Sequence, residues 1–212
     1  IGKSKAETAA KKLNSFNPEI EFRKYDLKLD NQNALKIIAD YDLVIDGTDN
    51  FQTRYIINDA CVLLDKPLVY GAVMRFEGQA GVFNYKDDDN GTKTNYRDLF
   101  PNPPDAGSVV NCNEVGVLGV VPGIIGTIQA AEAIKIITGI GDVLCSSVIS
   151  YNILTNSFYK FAISKSEKSD SLIPKSRSEF LDYNYDRFCG VRRSENEISV
   201  AEFYYKIIKL SN

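Results

Sequence analysis

The stretch Asp42 to Val73, "DLVIDGTDNFQTRYIINDACVLLDKPLVYGAV", constrains the fold more than any other part of the chain. Its apolar run "DLVID" is short and reads as a strand. Asn50 to Asp65 follows with the spacing of a helix, with Asp49 or its neighbour as the cap. "KPLVYGAV" is a second apolar strand. Strands alternating with helices predict an α/β fold with a mostly parallel sheet.

The flanking sequence extends this pattern. Ser4 to Asn14 is rich in helix formers and stops at Asn17-Pro18. "EIEFRKYDL" alternates apolar and polar residues and predicts a strand, and Asn33 to Tyr41 a short helix. "FEGQAGVFNY" is another alternating strand. A helix is expected up to about Thr138, ended by Gly139. A hairpin follows in "SSVISYNILTNSFYKFAI", with its turn near Thr155-Asn156. "NYRDLFPNPPDAGSVVNCNEVG" is long, proline-rich and without period, and long ordered loops are often functional. "SKSEKSDSLIPKSRS" reads as a polar linker. In the tail "NEISVAEFYYKIIKL", Ser199 and Glu202 have capping-box spacing, for a terminal helix or the beginning of another domain.

Composition removes whole classes of function. The 212 residues suffice for one sizeable domain, or one domain plus a fragment. A net charge of −3 and no basic run argue against nucleic acid or an anionic membrane as partner. There is no histidine, so imidazole catalysis and His-ligated metals are excluded within the chain. Cys61, Cys112, Cys145 and Cys189 form no CxxC pair, which fits reduced thiols in a cytoplasmic protein. The longest apolar stretch, Val115 to Ile140, contains Gln129, Glu132 and Lys135. It predicts a buried amphipathic helix rather than a membrane span.

In an open parallel sheet, ligands sit beyond the carboxyl ends of the strands, which is where Asp46 and Asp49 fall. Two readings stay open for this pair. One aspartate caps the next helix while the other satisfies loop amides, or one carboxylate holds Mg²⁺ on a nucleotide. Arg54, on the first turns of the helix, lies near the same place.

The segment "DLVIDGTDNFQTRYIINDACVLLDKPLVYGAVMRFEGQAGVFNY" resembles the ThiF/MoeB/HesA family, relatives of the ubiquitin-activating enzymes. The resemblance begins at "GKSKAETA", continues through "YRDLFPNPPDAGSVVNCNEVGVLGVVPGIIGTIQAAEAIKIITGIG", and covers Ile1 to Ile163. It implies a Rossmann-like ubiquitin-activating-enzyme fold, mostly parallel with an antiparallel extension. The implied activity is ATP-dependent adenylation of the C-terminal glycine of a small ubiquitin-like sulfur carrier ending in Gly-Gly. Sulfur transfer in thiamine, molybdopterin or tRNA thiolation pathways would follow. The resemblance puts Lys5 on the ATP phosphates, and Asp49 on Mg²⁺ and the nucleotide, with Asn50 beside it. Arg54 is expected in catalysis at the same site, and Cys112 is expected as the reactive cysteine that accepts the activated carrier or exchanges a persulfide. Cys61 and Cys145 are expected in the core. A homodimer is implied, and a fused or separate rhodanese-like sulfur donor.

The family's opening strand and glycine-rich nucleotide loop would precede Ile1, so an N-terminally incomplete adenylating domain is expected. A linker at 164–190 and a tail at 191–212, the possible start of a rhodanese-like domain, would follow. Many relatives hold zinc with two CxxC pairs; here Asn95 and Asp98 stand for the first pair and no second is found, so zinc is not expected. A carrier-binding module without turnover, or an inactive fragment, is the alternative. A NAD-dependent oxidoreductase is disfavoured, having no use for the Asp49-Asn50 pair or the cysteine loop.

Overall fold

The Asn50 side chain accepts a hydrogen bond from the Thr53 N–H at 2.8 Å, turning the extended chain into a helix. The computed structural model describes residues 2–86, 92–104 and 116–190. The helix capped by Asn50, Phe51–Leu63, is the crossover between strands β1 (Val44–Asp46) and β2 (Leu68–Met74), which pair in parallel. Strands β3 (Glu77–Phe83), β4 (Ser147–Asn152) and β5 (Ser157–Ala162) continue the sheet in antiparallel order, β1-β2-β3-β4-β5. The parallel part among the described residues is thus the β1–β2 ladder, and the antiparallel extension carries the other three pairings.

The helices, in chain order, are α1 (Lys5–Phe16), α2 (Ala34–Ile38), α3 (Phe51–Leu63), α4 (Tyr96–Leu99), α5 (Val120–Thr138), α6 (Glu167–Asp170), α7 (Arg177–Asp182) and α8 (Tyr185–Phe188). Alternation along β2 sends Leu68 and Tyr70 towards α3 and Val69 towards α5. Both faces of β2 are therefore buried. Helix α5 lies so close to the sheet that a Cβ on Gly71 would meet the Gln129 side chain at 2.4 Å, and one on Gly78 would meet Ile125 at 2.3 Å.

Helix α5 is long and apolar enough to cross a membrane, and here it packs on β2 and β3. Gln129 and Glu132 point inward, contrary to the usual sense of an amphipathic helix. Gln129 Nε2 donates to the backbone oxygens of Asp46 (2.7 Å) and Val69 (3.2 Å). Glu132 accepts the Leu144 N–H and pairs with Lys135. The opposite side exposes Val120, Ile134 and Ile137. Gly139, in the left-handed region at φ 68°, ends the helix.

Two expectations are corrected. Residues 19–27 form no strand: Ile20, Tyr25 and Leu27 are exposed, and no described strand pairs with them. Alternation supplies a face, but a ladder needs a partner for its N–H and C=O groups. Residues 164–190 are not a loose linker. They carry α6, α7 and α8, and Ile173, Phe180 and Tyr185 within them are buried. Asn31 Nδ2 collects the carbonyls of Phe180, Leu181 and Tyr183, fastening this segment across the molecule. The tail 191–212 lies outside the described residues.

Candidate functional site

The loop between β1 and α3 is held from both sides. Asp46 is buried, and its Oδ1 accepts the Thr48 N–H at 2.8 Å. Arg54 Nη2 donates to the Thr48 carbonyl at 2.7 Å. Burial pushes the Asp46 carboxyl above its usual range, with the Thr48 hydrogen bonds and the Arg54 charge opposing. Asp46 therefore satisfies the loop and Asn50 caps the helix. Asp49 takes neither structural duty and is exposed.

A cavity of about 720 Å³ opens beside Asp49 on the sheet face away from α5. Asp49, Asn50, Arg54, Tyr70 and Tyr96 line it together with apolar Ala72, Met74, Phe100 and Pro104 and polar Lys28, Glu77 and Gln79. A second cavity of about 450 Å³ lies between this loop and α5, and Asp49 and Arg54 line it too. The Arg54 guanidinium stands over the rings of Tyr70 (5.7 Å) and Phe51 (6.0 Å). The Thr48 hydroxyl faces Asp46, and the Arg54 guanidinium faces the Tyr96 hydroxyl, so the polar groups of this loop answer one another.

The structure thus brings three of the sequence-derived candidates, Asp49, Asn50 and Arg54, to one cavity. Lys5 is exposed on the first turn of α1, a helix that buries none of its residues, and it lines neither cavity. Cys112 lies outside the described residues. Cys61 is fully buried and Cys145 half-buried. Cys189 lines the larger cavity, and burial pushes its thiol up to about 11 despite the nearby Arg97 charge. Tyr70, Tyr96 and Gln79 also line the cavity. Sequence reading missed them, because an apolar strand and a loop carry no pattern for what they will face.

Asp49 suits Mg²⁺, which keeps several waters and needs one or two carboxylates beside substrate phosphates. Zinc does not suit Asn95 and Asp98. Asp98 Oδ2 accepts the Asn95 N–H (2.8 Å) and Nδ2–H (2.9 Å). Asp98 Oδ1 accepts the Ser166 N–H at 2.9 Å and the Ser169 hydroxyl. Ser166 and Ser169 have the three-residue offset of Asn95 and Asp98, and the four residues form a hydrogen-bonded clasp between α4 and α6. Both carboxylate oxygens are occupied, and among the described residues no group of His, Cys, Asp or Glu could hold a metal ion.

A model of the ThiF family matches residues 1–172. The chain belongs to the ThiF family. Among relatives, a probable adenylyltransferase/sulfurtransferase MoeZ from Mycobacterium tuberculosis is 44% identical over 90% of this chain and 47% of its own length. A sulfur carrier protein adenylyltransferase from Thermus thermophilus is 42% identical over 91% of this chain and 70% of its own. An adenylyltransferase and sulfurtransferase MOCS3 from Drosophila sechellia is 38% identical over 97% of this chain and 47% of its own. The chain spans about half the length of several of the curated relatives it matches. The ThiF-type fold is shared with a crystal structure of E. coli MccB with ATP, at a TM-score of 0.63, 17% identity, and coverage of 78% of this chain and 50% of that one.

Proposed function

We propose that the protein adenylates the C-terminal glycine of a small ubiquitin-like sulfur carrier, using ATP and Mg²⁺. The observation that carries this reading is the joint placement of Asp49 and Arg54 on the wall of one cavity of about 720 Å³. A cavity of that size has room for an extended glycine-rich tail beside a nucleotide. The naming of relatives as sulfur carrier protein adenylyltransferase and as adenylyltransferase/sulfurtransferase supports the substrate class.

In the proposed step a carboxylate oxygen of the carrier attacks the α-phosphorus of ATP. The new O–P bond forms as the bond to pyrophosphate breaks, and pyrophosphate leaves with the electron pair. Mg²⁺, when bound, neutralises phosphate charge. Asp49 would hold it, and the Asp46–Thr48–Arg54 clamp would keep Asp49 in position. Lys5 would reach the phosphates only with a different setting of α1. Asn50 would lie beside the nucleotide while capping α3.

Cys112 would act afterwards: its thiolate would attack the acyl carbon of the adenylate, forming a thioester as the bond to AMP breaks and AMP leaves, or would exchange a persulfide with a rhodanese-like sulfur donor. The pathway would be thiamine, molybdopterin or tRNA thiolation. A homodimer is part of the proposal, supported by the apolar outer side of α5, where Gly123, Gly126 and Ala130 permit close approach beside exposed Ile134 and Ile137. A monomer in sedimentation velocity would remove that part.

The test is ATP–pyrophosphate exchange dependent on a carrier ending in Gly-Gly. Exchange is expected; carrier binding without exchange would favour a non-catalytic binding module. That second reading draws on the position of Lys5, which lines neither cavity.

A further inference from the structure

Asn95 and Asp98 are the N-cap and the third residue of α4. Ser166 and Ser169 hold the same two positions in α6. Each pair therefore has the two-residue gap of a zinc-binding CxxC. The two helix starts face each other, and both pairs converge on one group, the Asp98 carboxylate.

An ionised carboxyl offers about four lone-pair sites. Asp98 receives four donors. The Asn95 N–H (2.8 Å) and Nδ2–H (2.9 Å) point at Oδ2, and the Ser166 N–H (2.9 Å) and the Ser169 hydroxyl at Oδ1. All four donors are neutral. The Ser169 hydroxyl has one proton and a second acceptor in reach, the Ser166 carbonyl at 2.7 Å, but the charged oxygen draws it more strongly. Asn95 and Ser169 are buried, so water does not compete for their donors.

No lone pair of Asp98 is left for a cation, and Asn95, Ser166 and Ser169 offer no thiolate. These residues disagree with the zinc that the family resemblance implies, and the disagreement has a definite sense. A structural zinc site sets a cation at the centre of four electron-pair donors. Here an anion stands at the centre of four proton donors, with the two pairs and their spacing kept.

We infer that this clasp is a metal-free joint with the charge of its centre reversed, tying α4 to α6 as a structural metal would. It is independent of the adenylation reading. Helix α4 carries Tyr96 to the cavity wall and Arg97 to Asp59, so the joint also fixes where these two side chains stand. With no metal and no thiolate in it, neither chelation nor oxidation opens it.

The experiment is a double-mutant cycle in thermal unfolding, with a four-cysteine variant beside it. Asp98→Ala removes the central anion and should lower the thermal midpoint by about 5–10 °C, the scale of lost bonds to a charged group. Ser169→Ala removes one of the four donors and should lower it by less. With Asp98→Ala already present, Ser169→Ala should lower it hardly further, because the hydroxyl has lost its charged acceptor. The variant Asn95→Cys, Asp98→Cys, Ser166→Cys, Ser169→Cys restores a cation-centred site. It should take up one zinc per chain, show the visible absorbance of tetrahedral thiolate coordination when cobalt replaces zinc, and melt lower after chelation. Additive losses in the cycle would overturn the inference. So would one zinc per chain in the wild type, or a folded four-cysteine variant that takes up none. If that variant does not fold, the cycle alone decides.

Discussion

Arg97 Nη2 stands 2.7 Å from Asp59 Oδ2, and neither side chain has any exposed surface. A second bond, Arg97 Nε to Asp59 Oδ1 at 2.8 Å, makes the pair bidentate, and the Tyr185 hydroxyl donates to Asp59 at 2.8 Å. The rings of Tyr55, Tyr183 and Phe188 surround the guanidinium. One ion pair thus joins α3, α4 and α8, and with them part of the wall of the larger cavity. Removing one partner leaves the other charged and buried. Asp59→Ala should therefore lower stability by about 3–5 kcal/mol. Urea unfolding measures this, and a loss below 1 kcal/mol would mean that the core relaxes or hydrates around Arg97. Asp59→Leu with Arg97→Met should cost less than Asp59→Ala alone.

Gly71→Ala should destabilise the fold by about 1–3 kcal/mol, because its Cβ has no room beside Gln129. Gln129 cannot simply retreat, since its amide serves the Asp46 and Val69 carbonyls. Adding Gln129→Ala to Gly71→Ala should not cost the sum of the two single changes. Additive losses in thermal unfolding would show that the contact is not where the strain lies.

Asp46 gives a pH signature. Its carboxyl is raised in the folded state, so between the ordinary carboxyl value of about 4 and the raised one the native state binds more protons than the unfolded state. Stability from this group then falls as pH rises through that window, and none of the loss is felt below it. Asp46→Asn can still accept the Thr48 N–H. It should remove this slope and be at least as stable at pH 7. Denaturant unfolding from pH 4 to 7 tests it; a variant less stable than wild type at pH 7 would show that the charge is needed near Arg54.

The Asp98 clasp needs no metal. Zinc is expected at well under one equivalent per chain, and a chelator should leave the thermal midpoint unchanged. Asp98→Ala, which strands Ser166 and Ser169, should lower it. One zinc per chain by elemental analysis would contradict this.

The sequence carried the β1–α3–β2 unit because each part has a local signature: an apolar strand, a capping asparagine and a helix of fixed length. It also located Asp49, Asn50 and Arg54, which that unit positions without help from the rest of the chain. Three other features depended on partners that a sequence pattern does not name. The alternation in residues 19–27 lacks a ladder. Gln129 and Glu132 of α5 face inward, because they answer backbone groups exposed at strand ends and loops. The polar composition of 164–178 concealed Ser169, which Asp98 needs, and Phe180 and Tyr185 farther on fill the core beside α3. Tyr96 was invisible for the same reason: its meaning depends on Arg54, 42 positions away in the chain yet on the same cavity wall.

The most direct test of the proposed activity is carrier-dependent ATP–pyrophosphate exchange by wild type and Asp49→Ala, with folding checked by circular dichroism. Asp49 is exposed and bears no part of the core, so the variant should fold normally. Without the carboxylate that holds Mg²⁺, exchange should fall by at least about a hundredfold. Exchange at the wild-type rate in a folded Asp49→Ala protein would contradict the assignment of this cavity as the adenylation site.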